Sequence, residues 1–152
     1  MIKKAVFPGS FAPFTKGHES VVLRALPLFD EIVIAVGTNS EKNKYFSLEE
    51  RCKWIEQVFV KEPKVSVQNY EGLTIDFCEK VKANYILRGL RNSHDFKYEK
   101  GIAQMNRSMK NNIDTIFIIT EPELSHINST LVRDIVKNGG DVSHFLPEEV
   151  KI

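Results

Sequence analysis

Short, unbroken apolar runs alternate with segments of helical periodicity along nearly the whole chain, and this alternation restricts the fold more than any other feature. Residues 5–7, 32–36, 85–87 and 116–119 are each continuously apolar. A sheet with one wet face does not produce such runs, so each reads as a central parallel strand. Residues 65–67 alternate weakly and read as a strand nearer an edge, where one side meets water. Between the runs, apolar residues recur at helical spacing: Val21, Val22, Ala25, Leu26 and Phe29; Leu48, Cys52, Ile55 and Phe59; Ile75, Cys78 and Val81; Phe96, Ile102, Ala103 and Met109. Ser47 followed by Glu50 reads as a capping box, and a last helix begins near Asn128 or Ser129 and stops at Asn138-Gly139-Gly140. Strand, helix and strand in strict alternation imply crossover connections. The expected fold is α/β: a doubly wound, parallel, five-stranded sheet with helices on both faces, a Rossmann-like architecture in a single domain over 1–152.

Composition narrows the partners. The 152 residues carry 21 basic and 20 acidic side chains, so no basic excess is left for a nucleic-acid or membrane surface. Any anion site must be local. No apolar run approaches the ~18 residues that cross a bilayer. The start, Met1-Ile2-Lys3-Lys4, leads straight into a strand pattern, and a cytoplasmic location is expected. Cys52 and Cys78 lack a C-x-x-C spacing and read as free thiols, while His94, His126 and His144 have no partner at metal-ligand spacing.

Ligands of doubly wound sheets bind beyond the carboxyl ends of the strands, which directs attention to residues 8–18, 37–46, 70–74, 88–95 and 120–130. The first of these loops, Pro8-Gly9-Ser10-Phe11-Ala12-Pro13-Phe14-Thr15-Lys16-Gly17-His18, matches neither the P-loop nor the G-x-G-x-x-G pattern. It instead places His18 in the first turn of a helix, where free amides and the dipole favour a phosphate. A histidine near a helix start is a cap more often than a catalyst; what raises its standing is context. Arg88-Gly89-Leu90-Arg91 sets two guanidiniums at the end of a buried strand, and Ile127-Asn128-Ser129-Thr130-Leu131-Val132-Arg133 opens a helix with hydroxyls and free amides. A single triphosphate could engage all three loops.

Thr15-Lys16-Gly17-His18 matches the T-x-G-H motif, and residues 127–133 closely match the I-S-S-T-x-x-R motif, of the cytidylyltransferase-like nucleotidylyltransferases. Within that superfamily the chain resembles the phosphopantetheine adenylyltransferases. The resemblance is carried by Pro8-Gly9-Ser10-Phe11, Phe46-Ser47-Leu48-Glu49-Glu50-Arg51, Arg88-Gly89-Leu90-Arg91, Asp95-Phe96, Tyr98-Glu99, Met105-Asn106 and the closing Gly140-Asp141-Val142 with Phe145-Leu146-Pro147. It implies transfer of AMP from ATP to 4′-phosphopantetheine, giving dephospho-coenzyme A and pyrophosphate, with Mg²⁺ as cofactor, coenzyme A as a further ligand and a homohexameric assembly. It places Ser10, Lys42, Thr74 and Arg88 at phosphopantetheine. Ser10, Phe11, His18, Gly89, Leu90, Arg91, Glu99, Leu124, Ser125, His126, Ile127, Asn128, Ser129 and Thr130 fall at ATP, with His18 stabilising the transition state. The chain departs from the family pattern at Ala12, usually an aspartate, and at Asn128, usually a serine. Two other readings share parts of this pattern: a cytidylyltransferase acting on glycerol phosphate, and a nucleotide sensor without catalysis on the same fold.

Overall fold

A computed structural model of the chain describes residues 1–38 and 45–152. Five parallel strands, β1 (Lys4–Gly9), β2 (Glu31–Gly37), β3 (Val65–Tyr70), β4 (Tyr85–Leu90) and β5 (Asp114–Ile119), form one sheet in the order β3-β2-β1-β4-β5. Among the described residues five α-helices connect or follow them: α1 (Lys16–Ala25), α2 (Leu48–Val58), α3 (Thr74–Lys80), α4 (Ser93–Met109) and α5 (Ser129–Lys137).

The runs of Val, Ile and Ala in β1 and β2 are apolar on both faces because each face has its own core. On one side Ala5, Phe7, Ile32, Ile34, Val36 and Leu87 pack against α1 and α2 through Val21, Val22, Ala25, Ile55 and Phe59. On the other, Val6, Val33, Ala35 and Ile86 meet Ile75, Phe77 and Cys78 of α3. Successive residues of a strand thus alternate between cores. Each fully buried side chain of this size contributes about 1.5–3 kcal/mol, so the two layers together hold the sheet. The doubly wound parallel sheet with helices on both faces is as expected.

One strand differs from its expectation. Residues 116–119 read as a central strand, yet β5 is an edge, and Ile119 is 71% exposed. The reason is that both of its faces are covered although its outer margin is open: Ile116 and Ile118 join the α1 side, and the Phe117 ring meets Phe96 of α4 at 6.2 Å. Covering by helices, not position in the sheet, sets the apolar run. β3, with its weaker alternation, is the opposite edge as expected.

The helix ends follow their sequence signals. Ser47 and Glu50 form a reciprocal capping box at α2. At α5, Asn128 Oδ1 accepts from the Leu131 amide, and the helix closes with Gly139 at φ +79°, its amide and that of Gly140 donating to Val136 and Ile135. Among the described residues, no helix is long and apolar enough to cross a membrane.

Candidate active site

The sheet changes winding direction at β1 and β4, the two strands whose connections run to opposite sides. Their ladder registers only Ala5 with Tyr85 and Val6 with Ile86, although both strands continue, to Gly9 and Leu90. Beyond the ladder the Arg88 side chain joins them instead, Nη1 donating to the Pro8 carbonyl at 2.6 Å. A cavity of about 450 Å³ lies at these carboxyl ends, walled by the loop after β1, the start of α1, the end of β4, the first turns of α4 and residues 127–130.

His18 is fixed by the helix that carries it. Thr15 is the N-cap of α1 and His18 its third residue, and the two form a capping box in which histidine takes the part usually played by glutamate. The Thr15 amide donates to Nδ1 at 2.9 Å, while the His18 amide donates to Thr15 Oγ1 at 3.4 Å. Because Nδ1 accepts, the proton of the neutral ring sits on Nε2. Burial first, then the charges of Arg88 and Arg91, lower the pKa of His18 from 6.5 to about 3. At neutral pH the ring is therefore an uncharged N–H donor whose Nε2 has no hydrogen-bond partner among the described residues.

Aromatic packing holds the ring from behind. Phe11 lies 5.0 Å from His18 at 90°, and the rings of Phe7 and Phe14 pack against Phe11 at 5.2 and 5.4 Å. To reach this position Phe11 takes φ +48°, a left-handed conformation costly for a non-glycine residue and sustained by the packing. Gly9 makes room for it: a Cβ there would lie 2.9 Å from the Phe11 ring.

The carbonyls of the first loop are captured by side chains from elsewhere in the fold. Ser129 Oγ donates to the Pro13 oxygen at 2.8 Å, and Arg133 Nη1 donates to the Ala12 oxygen at 2.7 Å. Ala12 itself is fully buried among Phe46, Trp54, Val132, Val142, Leu146 and Val150. A methyl group suits this apolar cluster, and the departure at position 12 is thereby explained. The hydroxyl of Ser129 and the guanidinium of Arg133, which read from sequence as an anion cradle, hold the loop in this structure.

Each strand-end arginine is paired with a carboxylate of α4. Arg88 Nε and Nη2 donate to Glu99 at 2.6 and 3.3 Å, and Glu99, 8% exposed, is the buried residue of that helix. Arg91 Nε and Nη2 donate to Asp95 at 3.1 and 3.3 Å, and its amide adds a third bond at 2.9 Å. Burial alone would raise the Asp95 pKa, but the hydrogen bonds and charge of Arg91 outweigh it and hold the carboxyl below its usual range. These pairs aim planar, two-pronged donors at the sheet edge.

A second cavity of about 200 Å³ adjoins the first and shares Pro8, Gly9, Arg88 and Glu99 with it. Its outer wall includes Tyr70, Thr74, Ile102 and Asn106, and Tyr70 Oη lies 3.0 Å from Thr74 Oγ1. Arg88 thus stands at the junction of two cavities.

Of the residues expected at a site, Ser10, Phe11, His18, Arg88, Gly89, Arg91, Glu99, Ile127, Asn128, Ser129 and Thr130 line the first cavity, and Thr74 lines the second. Leu90 is buried at the end of β4, and Leu124, Ser125 and His126 belong to the turn preceding Ile127 and do not line either cavity. Lys42 lies outside the described residues. Sequence reasoning gave no role of their own to Thr15, whose T-x-G-H spacing is that of a capping box, and Asp95, which lies in the first turn of α4 and pairs with Arg91 just before the helix N-cap. It also gave His94 no role, whereas this side chain is in the cavity wall.

The comparisons agree with this geometry. Residues 6–135 match the cytidylyltransferase-like family. A phosphopantetheine adenylyltransferase of Flavobacterium psychrophilum is 53% identical over 151 residues, covering 99% of each chain. One of Cytophaga hutchinsonii is 49% identical over 150 residues, 99% of this chain and all of its own. Among solved structures, a putative nicotinate-nucleotide adenylyltransferase from Vibrio parahaemolyticus superposes with a TM-score of 0.69 at 21% identity, covering 99% of this chain and 96% of its own, a likeness of fold. With identity near one half sustained from end to end, and with the T-x-G-H histidine and both strand-end arginines meeting in one cavity, the chain belongs to the phosphopantetheine adenylyltransferase family.

Proposed function

We propose that the protein, acting as a single nucleotidylyltransferase domain, transfers the adenylyl group of ATP to 4′-phosphopantetheine and so serves coenzyme A biosynthesis. A phosphate oxygen of phosphopantetheine attacks the α-phosphorus of ATP in line. The new P–O bond forms as the bond to the bridging oxygen breaks, and pyrophosphate leaves with the electron pair. Nothing in this step requires a covalent enzyme intermediate, and catalysis is positioning plus charge stabilisation.

The observation that carries the reading is the neutral His18 ring, its Nδ1 engaged by Thr15 and its Nε2–H free to meet the non-bridging oxygens of the α-phosphate. Negative charge grows there as the attack proceeds, so the donor binds the transition state more tightly than the ground state. Ser10, Phe11, Gly89, Arg91 and residues 127–130 would receive ATP in the larger cavity, and Thr74 and Arg88 would receive phosphopantetheine in the smaller. Leu124, Ser125 and His126 would approach the adenine only from the margin, and Lys42 remains assigned to phosphopantetheine by family position. Glu99, expected at ATP, is better placed to orient Arg88.

The donor set bears on Mg²⁺. Both carboxylates of the larger cavity, Glu99 and Asp95, are engaged by arginines, and among the described residues no group of three His, Cys, Asp or Glu side chains could hold a metal. These walls fit an ion that arrives chelated by the phosphates of ATP rather than one caged by the protein.

Assembly as a homohexamer is part of the proposal. Tyr98, Ile102, Met105 and Met109 form an exposed apolar stripe along α4, with Tyr98 69% and Met105 65% exposed, beside the open edge of β5. An exposed stripe of this kind supports contact between copies. Sedimentation of the purified protein should give a hexamer, and a monomer would remove that part of the reading. A cytoplasmic location is consistent with the free thiols of Cys52 and Cys78.

The direct test is to mix the protein with ATP, Mg²⁺ and phosphopantetheine and to measure pyrophosphate and dephospho-coenzyme A together. Stoichiometric formation of both is expected, and coenzyme A should compete with phosphopantetheine in calorimetry. Turnover only with CTP and glycerol phosphate would indicate the cytidylyltransferase alternative, and nucleotide binding without either product a sensor.

A further inference from the structure

Among the described residues Arg51 is the largest fully buried side chain, at 0% exposure, and lies one turn into α2. A guanidinium so enclosed requires acceptors for its N–H groups, since an unsatisfied buried charge is costly. Burial lowers its pKa. Among the described residues its acceptors include backbone carbonyls of three separate segments. Nη1 donates to Ser10 at 2.6 Å, in the loop after β1, and to Gly37 at 3.3 Å, the last residue of β2. Nε donates to Phe46 at 3.2 Å, immediately before the N-cap of α2.

These positions share a purpose in the fold. The β1–β2 ladder runs in register up to Gly9 with Val36 and stops there. Arg51 takes over where it ends, tying the loop that carries Ser10 and Phe11 to the last residue of β2, Gly37, and to Phe46 before α2. The Ser10–Phe11 peptide is trans, so its N–H points opposite to the carbonyl that Arg51 holds. Ser10 and Phe11 line the larger cavity and Arg51 does not, so Arg51 holds this segment from behind the cavity wall.

We propose that Arg51 is a positioning residue for the adenylyl transfer: by joining the Ser10 carbonyl to those of Gly37 and Phe46 it fixes the Ser10–Phe11 segment, expected at both substrates, in the wall of the larger cavity. The proposal rests on the function given above. It assigns no contact between Arg51 and either substrate. A misplacement of about 1 Å costs on the order of 10²-fold in rate when groups must meet in line.

The test uses Arg51→Lys in the full-length protein, which keeps the charge but cannot present the three-carbonyl fork. Activity of the unaltered protein is established first, so that loss of the functional reading is seen separately. In the folded variant, kcat should fall at least about tenfold and KM should rise for ATP and for phosphopantetheine together. A purely structural arginine would lower the melting temperature and leave both parameters of the folded fraction within about twofold, which would overturn the proposal; so would a rise in KM for one substrate alone. Should the lysine variant fail to fold, NMR of the Arg51 Nε–H in the unaltered protein decides. Its resonance should move on addition of a non-hydrolysable ATP analogue and, separately, of phosphopantetheine; a resonance that either ligand leaves in place would overturn it.

Discussion

Thr15 and His18 exchange hydrogen bonds across the first turn of α1, amide to Nδ1 at 2.9 Å and amide to Oγ1 at 3.4 Å, and this exchange makes a helix cap into the mount of the reacting donor. The same bond that satisfies an orphan amide selects the imidazole tautomer with its proton on Nε2.

The pair predicts how His18 titrates. Burial, then Arg88 and Arg91, bring its pKa to about 3, against 6.5 in the unfolded chain. Below pH 6.5 the unfolded state takes up a proton that the folded state refuses, so this residue's contribution makes stability fall as pH drops from about 6.5 towards 3. Nitrogen NMR of the histidine rings should show His18 neutral, with Nε2 protonated, from pH 7 down to pH 5. ATP binding should raise its pKa, because phosphate oxygens favour the imidazolium. Titration near 6.5 in the free protein would show that the ring is not held as described.

The division of charge at the strand edge gives a second prediction. Arg88 stands where the two cavities meet and Arg91 lines the larger. Arg88→Ala should raise KM mainly for phosphopantetheine and Arg91→Ala mainly for ATP, each by about 10- to 100-fold, the range of a charged hydrogen bond worth about 1.5–3 kcal/mol. Separate KM determinations check it. Equal losses for both substrates in both variants would contradict the division.

Close packing between β4 and α1 gives a third. A Cβ on Gly89 would lie 2.8 Å from Val21 Cγ2, three residues along the helix from His18. Gly89→Ala should therefore cost about 1–3 kcal/mol of stability and lower turnover by pushing α1 and its histidine away from the sheet. Val21→Ala in the same chain removes the clashing methyl, and the double variant should recover much of the turnover. Melting temperatures and kcat for the three variants test the coupling.

Much of the fold was legible because strand and helix carry different apolar periods. The runs at 32–36 and 5–7 mark strands buried on both faces, and the Ser47–Glu50 and Gly139–Gly140 signals mark helix ends. The position of β5 was not, since a covered edge strand and a central one carry the same residues. His18 was legible through its motif, whereas the pKa that makes it a neutral donor depends on Arg88 and Arg91, some 70 residues away. Arg51 entered the sequence reading only as part of the segment Phe46–Arg51 and was given no role, because its partners Ser10 and Gly37 are distant in sequence. One signal was present: Arg51 falls between Leu48 and Ile55 at helical spacing, on the face that packs inward, where a charge has to be held by acceptors.

The most direct measurement is kcat, KM for ATP and melting temperature on His18→Ala. Loss of half the capping box and of the contact with Phe11 should cost about 1 kcal/mol of stability and leave the fold intact. Turnover should fall by roughly 10²-fold or more while KM for ATP changes little, because the Nε2 donor serves charge that develops only in the transition state. A variant with lowered melting temperature and normal kcat would show that His18 is a helix cap alone, and would contradict the mechanism.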